Sequence, residues 1–136
     1  MAVIRNETHP IRTSEDIVRV RQVVRAWAVD LGFSLVDQTK IVTAASELAR
    51  NTMTYGGGGT VTLEVLAEGG RGGLRIIFED QGPGIADLDL AMKDGYTTGG
   101  GLGLGLSGAK RLSNDFEIRS APGEGTYIAI TRWKGL

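Results

Sequence analysis

The sequence predicts a two-layer α/β (α+β) sandwich, with a mixed, mostly antiparallel sheet covered by helices on one face. Apolar residues recur at helical spacing over 14–31 and again over 34–55. They alternate at strand spacing over 60–67 and 74–79, then over 116–120 and 126–133. Between these segments lie glycine clusters at 56–59, 69–73, 82–84 and 99–105, so the joints are loops and hairpin turns. At 136 residues the chain suits one domain over 1–136, with no internal repeat or linker.

Each element follows from its residues. After a short extended start, Ser14 caps a helix defined by Ile17, Val20, Val24, Trp27 and Leu31, and Gly32 stops it. Ser34 and Asp37 open a second helix, where Ile41, Ala45, Leu48 and Thr52 share one face until Tyr55 and Gly56. Val61, Leu63 and Val65 mark one side of a strand over 60–67. The turn 68–73 joins it to an antiparallel partner over 74–79. Asp80 to Ile85 is a loop, and 88–92 a brief helical stretch. Residues 95–105 are too glycine-rich for regular structure, whereas 107–113 read as a helix flanked by Leu106 and Leu112. Two last strands, 116–120 and 126–133, flank the turn Pro122-Gly-Glu-Gly125.

Composition removes several chemistries. With no cysteine and His9 the single histidine, zinc sites, thiol catalysis and disulfide frameworks fail. A net charge of -1 lacks the basic footprint of a nucleic-acid binder. No apolar run approaches the roughly 20 residues that span a bilayer, and the first ten lack a signal-peptide core. The expectation is a cytoplasmic protein with no nucleic-acid and no membrane partner. Glycine is the anomaly, 21 residues, or about twice its usual share of ~7%.

Three features could carry chemistry. Glu47 and Asn51, four apart on the second helix, share a face at the margin of its apolar stripe. The carboxamide oxygen of Asn51 suits Mg²⁺, and Glu47 can accept a hydroxyl proton; an ordinary solvated flank has the same pattern. Asp80, at a strand end before Gly82 and Gly84, can accept from a flat ligand's amino group, though a plain turn also fits. The run Gly99-Gly-Gly-Leu-Gly-Leu-Gly105 enters a helix and presents free backbone N–H groups, an anion site to which Lys110 and Arg111 could add charge. It is not a Walker A loop, because none of the four lysines lies between a glycine and Ser or Thr. The G-x-G-x-x-G string at Gly103, Gly105 and Gly108 lacks the βαβ context of a dinucleotide fold.

Taken in order, Glu47-Leu-Ala-Arg-Asn51, Asp80-Gln-Gly-Pro-Gly-Ile85 and Gly99 to Gly105 resemble the asparagine box and two glycine boxes of the GHKL ATPase superfamily. The small size and missing phospho-acceptor domain resemble the anti-sigma-factor serine/threonine kinases of bacterial partner switching. Asp94 to Gly105, Gly108 to Leu112 and Asp37 to Ile41 are most similar to the stressosome switch kinases. The resemblance implies a Bergerat ATP-binding fold and one GHKL-type kinase domain, with ATP and Mg²⁺. It implies that Asn51 ligands Mg²⁺, that Asp80 binds the adenine amino group, and that Gly82 and Gly84 pack against the base. Gly99, Gly101, Gly103 and Gly105 would form the lid over the phosphates. Thr126 would support adenine binding, and Glu47 would be the catalytic base. The implied substrates are STAS-domain antagonist and scaffold proteins of the RsbS and RsbR kind, and the freed kinase would activate an RsbU-like, PP2C-type phosphatase. Two other readings stay open: an anti-sigma factor that sequesters a sigma factor, and a non-catalytic ATP-gated adaptor.

The first helix adds a clue. Arg21 and Arg25 form a like-charge pair four apart, which hints at an acidic partner. Arg19 is the nearest match to the arginine by which anti-sigma kinases touch their protein substrate. His9, before Pro10, reads as a surface residue.

Overall fold

The computed structural model describes residues 1–93 and 105–134. Its elements run β1 (Ala2–Ile11), α1 (Ser14–Asp30), α2 (Leu35–Thr54), β2 (Gly59–Glu68), β3 (Arg71–Asp80), α3 (Leu88–Ala91), α4 (Gly105–Arg111), β4 (Asp115–Ser120) and β5 (Thr126–Trp133). The sheet has the order β1-β2-β3-β5-β4. Each of these neighbouring pairs is antiparallel, so the sheet is not mixed. Two of the pairs, β2–β3 and β4–β5, are hairpins, while β1 reaches β2 through α1 and α2 and β5 lies between β3 and β4, so no two adjacent strands run parallel.

The largest departure from expectation is β1. The extended start is a ten-residue edge strand, paired from Ala2↔Ala67 to Ile11↔Gly59 with a bulge between Val3 and Arg5. Its apolar residues lie at the two ends and Arg5 to His9 between them are polar, so no apolar alternation announced it. Arg5 lays its guanidinium 3.9 Å from the centroid of the Trp27 ring, which covers apolar surface with a charged side chain's flat face. His9 is no surface residue: its side chain is 19% exposed, with Nε2 3.2 Å from the Glu7 carboxylate.

The cap of α1 also sits one residue earlier than Ser14. Thr13 Oγ1 accepts from the Asp16 N–H at 3.3 Å, and the Asp16 carboxylate accepts from Thr13 N–H at 3.2 Å. That reciprocal pair is a capping box, and it fixes Thr13 as the N-cap. The Arg12 backbone N–H, also bonded to Asp16, is the main reason its carboxyl is held below its ordinary range. Ser34 caps α2 as expected, accepting from Asp37 N–H at 3.1 Å.

One sheet face packs on the helices. Val61, Leu63, Leu74, Ile76, Phe78 and Ile130 meet Val20, Val24, Trp27, Ile41 and Leu48, all buried. Each such side chain contributes about 1.5–3 kcal/mol. The other face carries Trp133, whose Nε1 donates to Asp115 at 2.8 Å. Its ring explains part of the second glycine cluster, 69–73. Only Gly69 and Gly70, with φ of +55° and +82°, make the β2–β3 turn, the conformation of a two-residue hairpin. Gly72 and Gly73 already belong to β3, and a Cβ on Gly73 would lie 2.6 Å from Trp133 Cε3.

A buried ion pair ties the layers together. Arg132 on β5 reaches Asp37 in the first turn of α2 at 2.7 Å and the Leu112 carbonyl at 3.0 Å. The Arg132 hydrogen bond holds the Asp37 carboxyl below its ordinary value of 3.8. Removing one partner of a buried pair strands the other, so Asp37→Ala is expected to cost about 3 kcal/mol in urea denaturation. Because the folded-state pKa is lowered, this contribution is complete above the unfolded value and fades as pH falls through the folded one. The stability gap between the wild type and Asp37→Asn should therefore shrink below about pH 4. A gap that stays constant from pH 7 to pH 3 would contradict the assignment.

Candidate functional site

Helix α2 turns Ile41, Ala45, Leu48 and Thr52 into the core and leaves Glu47 and Asn51 half-buried on its flank, one turn apart. Glu47 meets the start of α4. Its Oε1 accepts the Gly105 N–H at 3.2 Å, and its Oε2 lies 3.5 Å from the exposed Arg50. The Glu47 side chain is only 12% exposed. Gly105 has φ +68°, a conformation that favours glycine where the chain turns into α4. This helix begins at Gly105 and ends at Arg111, two residues before the expected bounds at each end. Lys110 and Arg111 therefore lie in its last turn, roughly 8 Å along the axis from Gly105. Gly99, Gly101 and Gly103 lie outside the described residues.

Among the described residues no group of three or more His, Asp or Glu could cage a metal. A carboxamide oxygen beside a carboxylate still suits Mg²⁺, which takes few protein ligands and completes its octahedron with water and phosphate oxygens. Asn51 offers that oxygen one helical turn from the Glu47 carboxylate, so the residues present fit the ion.

The second part of the site is the end of the sheet. Asp80 closes β3, Thr126 opens β5 directly opposite it, and Ser120 closes β4 opposite Thr126. Cross-strand partners share a face, and this is the face that carries Phe78 and Ile128 under the helices. The Asp80 carboxylate accepts the Gly82 N–H at 2.9 Å, which bends the chain into the loop. Backbone then lies against backbone. A Cβ on Gly82 would fall 2.7 Å from the Gly56 Cα, and one on Gly56 would strike the Asp80 carboxylate. Gly84, at φ +76°, presses on the Ala121 carbonyl, and Gly125, at φ +73°, on the Asp80 carbonyl. A cleft of about 400 Å³ is lined by Gly56 to Thr60 and Glu79 to Gln81.

Sequence reasoning placed Asp80, Gly82, Gly84 and Thr126 together, and the structure brings all four to this sheet end. It missed Gly56 and Gly125, taken as connections, and it missed Ser120. The Ser120 hydroxyl accepts the Ile85 N–H at 2.8 Å, donates to the Gly125 carbonyl at 2.8 Å, and lies 2.9 Å from Thr126 Oγ1. Its position six residues before Thr126, across a tight turn, was the available signal. On α1, Arg19 pairs with Asp16 at 3.0 Å and Arg25 donates to Gln38 of α2 at 3.3 Å. Arg25 thus joins the two helices, and Arg21 is exposed.

The family model described as histidine kinase-, DNA gyrase B-, and HSP90-like ATPase matches residues 36–134. The serine/threonine-protein kinase RsbT of Bacillus subtilis (strain 168) is 52% identical over 123 residues, 90% of this chain and 92% of that protein. An anti-sigma F factor of Thermoanaerobacter sp. (strain X514) is 30% identical over 121 residues, 85% of this chain and 83% of that one. Among solved structures, the RsbU and RsbW domains of Rv1364c from Mycobacterium tuberculosis align with TM-score 0.65 at 21% identity. The match covers 94% of this chain and 32% of that one. The mycobacterial sensor histidine kinase MprB aligns with TM-score 0.57 at 22% identity, over 94% and 98% of the two chains. At these identities the two structures share the fold.

The crowding separates glycines that resemble one another in sequence. Gly57 has φ +73° with open space around its missing Cβ, so Gly57→Ala should cost about 1 kcal/mol from backbone strain alone. Gly84→Ala adds the collision with Ala121 and should cost about 3 kcal/mol or more. Thermal melting distinguishes them, and equal losses would refute the crowding account.

Proposed function

Because the chain belongs to the histidine kinase-, DNA gyrase B- and HSP90-like ATPase family, and its relative at 52% identity is a serine/threonine-protein kinase, we propose that it is an ATP-dependent serine/threonine protein kinase of a partner-switching pathway. Residues 1–136 form one kinase domain in this reading. The observation that carries it is Glu47, a nearly buried carboxylate at the point where the glycine-rich run enters α4.

Each residue's part follows from its place. Asp80 accepts a hydrogen bond from the 6-amino group of adenine, with Thr126 opposite it, while Gly82 and Gly84 let the base lie against the backbone. Asn51 holds Mg²⁺ through its carboxamide oxygen. The ion, when bound, neutralises charge on the β- and γ-phosphates. In this reading Gly99, Gly101, Gly103 and Gly105 form the lid over the phosphates and exclude water, the Gly105 N–H staying on Glu47. Glu47 keeps Oε1 on the Gly105 N–H, and its Oε2 takes the proton of the attacking hydroxyl. As that proton leaves, the serine or threonine oxygen bonds to the γ-phosphorus. The bond from the γ-phosphorus to the β,γ-bridging oxygen breaks, and ADP departs. Rate comes from position and electrostatics, since the chain forms no covalent intermediate.

The substrates in this reading are STAS-domain proteins of the RsbS and RsbR kind, and the released kinase activates an RsbU-like, PP2C-type phosphatase. It acts in the cytoplasm; no helix among the described residues is long and apolar enough to cross a membrane. Identity of 30% to an anti-sigma F factor favours one other reading, in which the chain sequesters a sigma factor. A pull-down from lysate separates the two, since a recovered sigma factor without a phosphatase supports the second.

Transfer of labelled phosphate from ATP to a cognate STAS-domain protein tests the kinase reading directly. Glu47→Ala should lower kcat by roughly 10²–10⁴-fold while changing the ATP Kd by less than about twofold. Asn51→Ala should weaken Mg²⁺-dependent nucleotide binding by about tenfold or more. Unchanged phosphorylation in both variants would sink the assignment.

A further inference from the structure

Three polar side chains stand in a row at the sheet end, and counting fixes the proton direction in the hydrogen bond between two of them, Ser120 and Thr126. Ser120 has one hydroxyl proton. The Gly125 carbonyl can only accept, so the 2.8 Å contact between them takes that proton. The Ile85 N–H can only donate, so its 2.8 Å contact occupies a lone pair on Ser120. At 2.9 Å the remaining partner, Thr126, must then be the donor of its bond to Ser120. Its own proton is spent, and Thr126 Oγ1 offers only lone pairs outward. Across the ladder stands Asp80, which as a carboxylate also offers only lone pairs. A ligand edge lying over Thr126 and Asp80 therefore meets two acceptors side by side and has to bring donors.

From this we infer that Ser120 is a specificity-determining positioning residue: by taking the Thr126 proton it makes the site select a 6-amino purine over a 6-keto purine. The inference rests on the adenine reading of Asp80 given above. Ser120 touches no part of the base itself. It acts through Thr126, and it also fastens the Asp80–Ile85 loop and the 121–125 turn to the end of β4. Inosine triphosphate differs from ATP at the 6-position, where a carbonyl oxygen replaces the amino group. That oxygen would face two acceptors with no proton between them. Without Ser120 the Thr126 hydroxyl is free to turn and donate, so the keto base gains a partner that the wild type withholds.

Calorimetric titration of the full chain with Mg·ATP and Mg·ITP, for the wild type, Ser120→Ala, Ser120→Cys and Ser120→Thr, tests this. The wild type should prefer ATP by about a hundredfold, since unpaired polar groups reject the wrong edge strongly. In Ser120→Ala that preference should fall about tenfold, one hydrogen bond's worth of discrimination. Ser120→Cys, nearly the same size and a weak hydrogen-bonder, should show the same fall even if the alanine variant fails to fold. Ser120→Thr, which keeps the hydroxyl, should restore the wild-type ratio. A role in stability alone would weaken both nucleotides in proportion, and an unchanged ATP:ITP ratio in Ser120→Ala or Ser120→Cys overturns the proposal while leaving the adenine site intact. If instead the wild type shows no preference and Asp80→Asn binds ATP as the wild type does, the adenine reading itself falls, and the Ser120 assignment with it.

Discussion

At one end of the sheet the backbone of the α2–β2 connection, the Asp80–Ile85 loop and the 121–125 turn lie in contact, with no room for a side chain between them. Gly56 sits on Gly82, Gly84 on Ala121, and Gly125 on the end of β3. Each contact forbids a Cβ, and Gly84 and Gly125 in addition hold φ values that L side chains rarely adopt. Glycine is the most costly residue to order, so concentrating it here opposes folding. What it secures is closeness: main chain stripped of side chains, and a carboxylate held at its edge. The paired strands supply the rigidity that glycine removes, since Asp80, Thr126 and Ser120 are all terminal residues of strands in register.

The helical wall is attached to this sheet at two separated points. Thr52 and the chain after it run into Gly59, whose missing Cβ would meet both the Glu79 carbonyl and the Thr52 methyl. At the other end of α2, Asp37 is pinned to β5 by Arg132, which also holds the last carbonyl of the turn after α4. Glu47 and Asn51 lie between these two anchors. Neither could keep a fixed distance from Asp80 if the helix slid by a residue, because such a slip also rotates the flank by about 100°. The Arg132–Asp37 pair is weak evidence for net stability, given the cost of desolvating both charges. Its directional bonds do fix the register of α2 and α4 on the sheet.

Much of this was legible from the residues. Helices α1 and α2 announced themselves by apolar spacing, and β5 was placed at its observed bounds. Asp80 was named from a short glycine box that needs glycine for a steric reason, and Thr126 from the family resemblance alone. The misses have physical causes too. Strand β1 faces α1 with Arg5, Glu7 and His9, so its inward side is polar and the period-two pattern is invisible. Gly72 and Gly73 looked like turn because the demand for a bare Cα at Gly73 comes from Trp133, sixty residues away in sequence. Ser120 was missed because a serine at a strand end carries no signal until the three groups it binds are seen to converge. The cap at Thr13 went to its neighbour because Thr13 and Ser14 are equally good cap residues, and only the reciprocal Asp16 contact decides between them.

The contact between Glu47 and Gly105 joins the two halves of the site. A carboxylate proposed to take a proton is also the group that receives the first N–H of α4, so one side chain sets both the base and the origin of the helix. A hydrogen bond to a charged group is worth about 1.5–3 kcal/mol, enough to choose one position for the helix start over another. Positive φ at Gly105 lets the chain arrive from the glycine-rich run and still aim that N–H at Glu47. Asn51, one turn further along α2, shares the helix but not this bond. Of these two polar residues on one flank, Glu47 is the one seen bonded to the start of α4 among the described residues.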